Sequence, residues 1–133
     1  MTTFAVRPAG DGPFPVAVVF TDGVGYREQV KENARRFAAD GYYCVAPDLY
    51  YRVGKKFSFD MSGMATGGLK GPEAERMMKA ATSVTPENMV SDTRAVLSAV
   101  APDPAASSGP KVCVGSASAL GSHCASPRHS QTA

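Results

Sequence analysis

Residues Pro15 to Phe20, PVAVVF, form an unbroken apolar run rich in valine, which predicts a short strand buried on both faces, as in a parallel sheet. Thr21-Asp22-Gly23 interrupts it. Val30, Ala34, Phe37 and Ala38 then recur at helical spacing, with Glu28, Lys31, Glu32, Arg35 and Arg36 mostly on the other side, so a helix is expected from about Arg27 to Asp40. Gly41 is expected to cap its end. Tyr42 to Ala46, YYCVA, predicts the next strand, stopped by Pro47-Asp48. Strand, helix and strand in this order make a βαβ unit, whose crossover is right-handed in nearly all folds.

Tyr51 to Gly71 is rich in Gly, Lys and Ser, with isolated apolar residues, and predicts a long excursion at the carboxyl ends of the strands. Loops of such length usually carry function. Pro72 to Ala81 follows as a short helix, with Pro72 at its first position and Glu73 and Glu75 in its first turn. A second helix is expected from Pro86 to Val100, capped by Thr85, with Met89, Val90, Val96, Leu97 and Val100 as its buried stripe. After the Pro- and Ser-rich connection Pro102 to Pro110, Lys111 to Gly115 predicts a third parallel strand. Cys44 and Cys113 lie inside strand-like runs and are expected to be buried small hydrophobes. The order implies an α/β fold, with a mostly parallel sheet and flanking helices.

Composition changes at residue 116. Ser116 to Ala133 holds five serines, both histidines of the chain and one large aliphatic residue, Leu120. Such a segment has no apolar face to bury, so the expectation is a domain over 1–115 and an irregular tail over 116–133. The whole chain, 133 residues at 44% hydrophobic and 20% charged, suits one packed core. Its formal charge of +2 is dispersed, and Arg35-Arg36 and Lys55-Lys56 are only pairs, so no basic stripe for nucleic acid is formed. The N-terminal MTTFAVRPAGDG lacks the apolar core of a signal peptide, and no apolar run is long enough to span a bilayer, which leads to the expectation of a cytoplasmic protein with no membrane partner. Three cysteines, odd in number and widely spaced, argue against a disulfide framework. His123, Cys124 and His129 match no zinc spacing and are taken as polar tail residues, so no metal is expected.

Lys111 to Ala119, KVCVGSASA, runs from a strand into a tight small-residue turn, the setting in which an α/β-hydrolase presents its nucleophile. That elbow is small-x-nucleophile-x-small, because the strained turn leaves no room for side chains two residues to either side. Gly115 and Ala119 supply the small positions, so the nucleophile slot falls on Ala117. Ser116 and Ser118 each miss it by one position.

The stretch DGVGYREQVKENARRFAADGYYCVAPDLYYR, the helix MVSDTRAVLSAV and the strand PKVCVG together resemble the dienelactone hydrolase family over roughly residues 13–115, GYY-x-x-APDLYYR being the most specific piece. The resemblance implies an α/β-hydrolase fold in which a Cys-Asp-His triad opens small or cyclic carboxylic esters through an acyl-enzyme, without metal or cofactor. The family's elbow usually reads G-Y/F-C-M/L/I-G, and only Gly115 is retained here. Its triad Asp and His lie well past the elbow, beyond the residues that follow Ala117 here, so the expectation is a partial α/β-hydrolase fold with an incomplete sheet, inactive alone. The oxyanion hole of this fold takes one N–H from the loop after the first core strand and another from the residue after the nucleophile, which points to Asp22, Gly23 and Ser118. Arg52 follows PDLY as basic residues do in relatives; Arg27, Arg52 and Arg76 are the candidates for a substrate carboxylate, weighed against surface ion pairing. The last strand, left at the edge of the sheet, is expected to promote self-association.

Two other readings stand beside this one. Gly23-Val24-Gly25 follows a strand and opens a helix, with Asp48 after the next strand, as in a Rossmann-like dinucleotide-binding module, although Glu28 occupies the position of the third glycine. The abrupt change at Ser116 also fits a non-catalytic interaction fragment, arising by truncation, frameshift or divergence.

Overall fold

The computed structural model describes residues 1–55, 57–59, 62 and 71–115; Ala117, Ser118, His123, Cys124 and His129 lie outside the described residues, as does the tail expected over 116–133. The described chain forms β1 (Thr3–Val6), β2 (Val16–Val19), α1 (Glu28–Ala39), β3 (Tyr43–Pro47), α2 (Pro72–Ser83), α3 (Pro86–Val100) and β4 (Val112–Val114). The four strands make one sheet in the order β1-β3-β2-β4. β3 and β4 run parallel to β2, and β1 lies antiparallel to β3.

Every residue of β2 and β3 is buried, which is why both strands read as continuous apolar runs. Their side chains divide by alternation. Ala17, Val19, Cys44 and Ala46 meet the Val30, Ala34 and Ala38 stripe of α1. Val16, Val18, Phe20, Tyr43 and Val45 face the other way, onto Leu49 and Val96 of α3. The result is three layers, helix on sheet on helix, in which burial of a wholly enclosed valine such as Val18 or Val45 contributes about 1.5–3 kcal/mol. Gly41 ends α1 with φ +102, donating its N–H to Ala38. Thr85 caps α3 through its hydroxyl, which accepts the Asn88 N–H at 3.2 Å. No helix among the described residues is long and apolar enough to cross a membrane.

Four details depart from the sequence-based expectation. β1 was not anticipated: Phe4 and Val6 cover the α1 side of the sheet from an antiparallel edge, a placement dictated by the open side of β3 and not by local propensity. α2 continues to Ser83, whose hydroxyl bonds the Ala80 carbonyl at 2.6 Å. On α3, Val90 is 50% exposed and is not part of the buried stripe; Asp92 takes the inward position, because residues 89, 92, 93, 96 and 100 share one helical face and residue 90 does not. Cys113 is exposed, not buried, because β4 is the outer strand of the sheet among the described residues.

The two cysteines therefore differ chemically. Burial pushes the Cys44 thiol up to about 11, far from the thiolate that alkylating reagents require, whereas Cys113 is open to solvent. Iodoacetamide at about pH 8 should modify Cys113 in the native protein and spare Cys44 until the chain is unfolded, as read by peptide mass spectrometry. Equal labelling of both in the native state would contradict the packing of β3 against α1.

Candidate active site

The carboxyl end of β2 lies between the carboxyl ends of β3 and β4, and the Phe20 N–H reaches the Val114 carbonyl at 2.8 Å. In open α/β sheets ligands bind at such a position, where successive connections leave in opposite directions. The loop that leaves β2, Thr21 to Tyr26, is tied down at several points. The Asp22 carboxylate accepts the Val24 N–H at 3.1 Å and pairs with the Arg27 guanidinium, while the Asp22 carbonyl takes the Gly25 N–H at 3.1 Å. Across from it, residues 57–59 form a short antiparallel bridge: Tyr26 N–H to Phe57 O at 2.9 Å and Phe59 N–H to Val24 O at 3.1 Å. Gly25 sits at the closest point with φ +105, and a Cβ there would overlap the Phe57 carbonyl oxygen. This part of the long excursion is therefore a brace for the loop after β2.

The loop after β3 provides the other wall. Asp48 is wholly buried, and its Oδ1 accepts the Tyr50 N–H at 3.1 Å, turning the chain sharply after PDL. Tyr50 then reaches back, its hydroxyl donating to the Gly23 carbonyl at 3.4 Å, and its ring meets Phe57 and Phe59 edge-on. Burial, and after it the Asp22 carboxylate, raise the Tyr50 phenol above its ordinary value, so it stays a neutral donor. Between these loops and α2 lies a cavity of about 260 Å³; Leu49, Met77, Ala81 and Val84 line it, with Thr21, Gly23 and Tyr50 on the loop side. A smaller cavity of about 70 Å³ opens on the other side of the same loop, bordered by Asp22, Val114 and Gly115.

Each arginine singled out in the sequence has a carboxylate partner. Arg27 pairs with Asp22; Arg76 pairs with Glu73 at 2.8 Å, one turn away, and lies over the Phe57 ring. Arg52 makes a two-pronged contact with Asp92, Nη1 to Oδ2 at 2.7 Å and Nη2 to Oδ1 at 2.9 Å, and the Tyr51 hydroxyl adds a bond to Oδ1 at 3.2 Å. The Asp92 carboxylate holds the Arg52 guanidinium above its ordinary value. Asp92 was missed in the sequence, although an acidic residue on an apolar helix stripe, opposite an arginine in the preceding loop, is the signal such a pair leaves. Gly23 lines the cavity of about 260 Å³ and Asp22 borders the smaller one of about 70 Å³ on the other side of the loop; Ser118 lies outside the described residues.

The dinucleotide reading loses its residues. Asp48 is committed to a buried turn, Gly25 serves a backbone contact within the chain, and Glu28 forms ion pairs with Lys31 and Arg35 at the start of α1, where a pyrophosphate would dock. Among the described residues no group of three His, Cys, Asp or Glu is placed to hold a metal.

A model of the dienelactone hydrolase family matches residues 1–123. A protein of Escherichia coli (strain K12) described as "Putative carboxymethylenebutenolidase" is 38% identical over 60 residues, 44% of this chain and 22% of that protein. One of the same description from Methylorubrum extorquens is 41% identical over 51 residues, 38% of this chain and 18% of that protein. Among solved structures, "Crystal Structure of Putative Dienelactone Hydrolase from Klebsiella pneumoniae subsp. pneumoniae MGH 78578" superposes with a TM-score of 0.65 at 23% identity, covering 85% of this chain and 42% of that one. The chain thus spans less than half the length of these relatives, and the shared architecture is part of an α/β-hydrolase fold.

The Arg52 and Asp92 pair fastens the loop after β3 to the first turns of α3, with Asp92 only 7% exposed at its side chain. Asp92→Ala should cost about 2–4 kcal/mol in urea denaturation, since it leaves a partly buried guanidinium without its anion. A double-mutant cycle with Arg52→Ala should give a coupling of about 1–3 kcal/mol; additive single effects would show that the contact contributes nothing.

Proposed function

The chain belongs to the dienelactone hydrolase family, and from that membership we propose that its described residues form the carbonyl-binding half of a site for small carboxylic esters or lactones. The observation that carries this reading is the braced loop at the carboxyl end of β2, which presents Gly23 to a cavity of about 260 Å³ and Asp22 to a smaller one of about 70 Å³ beside Val114 and Gly115, the end of the strand that precedes Ala117 in the sequence. Hydrolysis of an ester through an acyl-enzyme places negative charge on the former carbonyl oxygen, and N–H groups fixed before the reaction stabilise it without reorganisation. The backbone of Asp22 or Gly23 is proposed for one such donor and Ser118 for the other.

The nucleophile is a different matter. By the sequence pattern alone, Ala117 is the proposed occupant of the nucleophile slot between the small residues Gly115 and Ala119, and a methyl group cannot attack a carbonyl. The proposal is therefore a family scaffold that binds an ester or lactone and, with this sequence, forms no acyl-enzyme. Tail residues 116–133 are proposed as a segment separate from the domain. A cytoplasmic setting belongs to the same proposal, since three cysteines provide no even-numbered disulfide framework. So does self-association along β4, the outer strand among the described residues, whose Val112 is 41% exposed.

Purified protein should release p-nitrophenolate from p-nitrophenyl butyrate at the background rate, followed by absorbance. Turnover that disappears on replacing one cysteine by serine would overturn the placement of the elbow at Ala117. In sedimentation velocity, the average sedimentation coefficient should rise with protein concentration; a concentration-independent monomer would remove β4 as a contact surface.

A further inference from the structure

β1 has four residues and lies at one margin of the described sheet, yet it is tied to the roots of both loops of the candidate site. The Thr2 carbonyl, next to its first residue, accepts the Asp48 N–H at 2.8 Å, where the chain leaves β3. Tyr26, 5% exposed, ends the loop after β2; its phenol is hydrogen-bonded to the Phe4 backbone and feels the Asp48 carboxylate. Burial, and after it that carboxylate, raise the phenol above its ordinary value, so it stays a neutral group beside the charge. From these two anchors the tethers run on. The Asp48 carboxylate takes the Tyr50 N–H, the Tyr50 hydroxyl reaches the Gly23 carbonyl, and the Tyr26 N–H joins the loop to Phe57. β1 itself is lightly held: Thr3 and Ala5 are exposed, and Phe4 and Val6 are only partly buried against the α1 cluster, whereas Val18 and Val45 have no exposed surface. A strand with so little enclosed surface opens at lower cost than the core on which it lies.

The geometry points to a latch: pairing of β1 on β3 and ordering of the loop after β2 are one equilibrium, so that release of β1 frees Asp48, Tyr50 and Tyr26 together while β2, β3, α1 and α3 stay folded. The loop that carries Gly23 then has a control point at the margin of the sheet, with the whole of β3 between it and β2. Whatever stabilises β1 tightens the loop, and by linkage whatever binds the ordered loop tightens β1 by the same factor. The coupling is a property of the loop and its tethers, and holds whatever the loop binds.

Native-state hydrogen exchange on the 15N-labelled full chain tests this. In the unaltered protein the amides of Gly25, Tyr26, Asp48 and Tyr50 should open as one unit, with a common denaturant dependence, and exchange faster than those of Ala17 and Val45 on β2 and β3. Phe4→Ala, which loosens β1 from the α1 cluster, should speed the four by one shared factor of about tenfold or more and leave Ala17 and Val45 within about twofold. Tyr26→Phe keeps the ring and removes the hydroxyl held at Phe4; it should speed Gly25, Asp48 and Tyr50 together by a smaller factor, and it carries the test should Phe4→Ala fail to fold. Acceleration confined to Asp48, with Gly25, Tyr26 and Tyr50 unmoved, would mean that β1 frays alone and would overturn the latch. Equal acceleration at Ala17 and Val45 would overturn it as well, since β1 would then open only with the core. So would the absence of any acceleration in both variants.

Discussion

Val18 and Val45 lie side by side in parallel register at the centre of the sheet, each with no exposed surface, and the molecule is arranged to keep water from them. A parallel pair needs cover on both faces, because its crossover connection puts a helix on one side and leaves the other open. α1 closes one face with small residues, Ala34 and Ala38, that let the helix approach closely. α3 closes the other with Val96 and the partly buried Met89, Leu97 and Val100. β1 extends the sheet beyond β3, so β4 is the strand at the opposite margin among the described residues.

That double cover has a consequence for chemistry. With both faces occupied, what remains accessible at the centre of the sheet is the row of carboxyl ends, and there the loops after β2 and β3 meet. Beside the cluster of Tyr50, Phe59 and Ala80, polar contacts hold these loops to each other and to their neighbours. They are a buried carboxylate closing a turn at Asp48, a tyrosine reaching from one loop to the carbonyl of the other, an ion pair from Arg52 to Asp92, and a backbone bridge that Gly25 alone admits. Each fixes a loop by direction as well as by proximity, and the carbonyl site proposed there would gain from backbone groups already in place. The aromatic trio of Tyr50, Phe57 and Phe59 excludes water from behind this arrangement.

Much of the framework was legible because it obeys local rules. The valine run, the i, i+4, i+8 alanine and valine stripe, the Thr85-Pro86 start and the strand before Gly115 each announce one element, and the crossover rule orders them. What escaped depends on partners far away in sequence. Phe4 and Val6 form a strand only because β3 offers an open edge. Val90 counts as apolar in a stripe, yet the helix turns it outward and Asp92 inward to meet Arg52, an ion pair across 40 residues whose local trace is only a carboxylate on an apolar helix stripe. The glycines near residue 23 were legible as a special turn, but their reason, contact with residues 57–59, lay inside a segment with no pattern of its own. At the candidate site, the loop positions Asp22 and Gly23 followed from fold topology, whereas the pairing of every candidate arginine with a carboxylate required geometry.

The loop after β2, proposed to bind a carbonyl, is built before any ligand arrives, held by Asp22, Tyr50 and the bridge to residues 57–59. The most direct measurement is 15N relaxation of the ligand-free chain, comparing the amides of Gly23 to Tyr26 with those of β2. Order parameters near 0.85 in both, as for rigid backbone, are what these tethers predict. Values below about 0.6 across Gly23 to Tyr26, with β2 still rigid, would mean that the tethers do not hold the loop and that the site forms only when something binds.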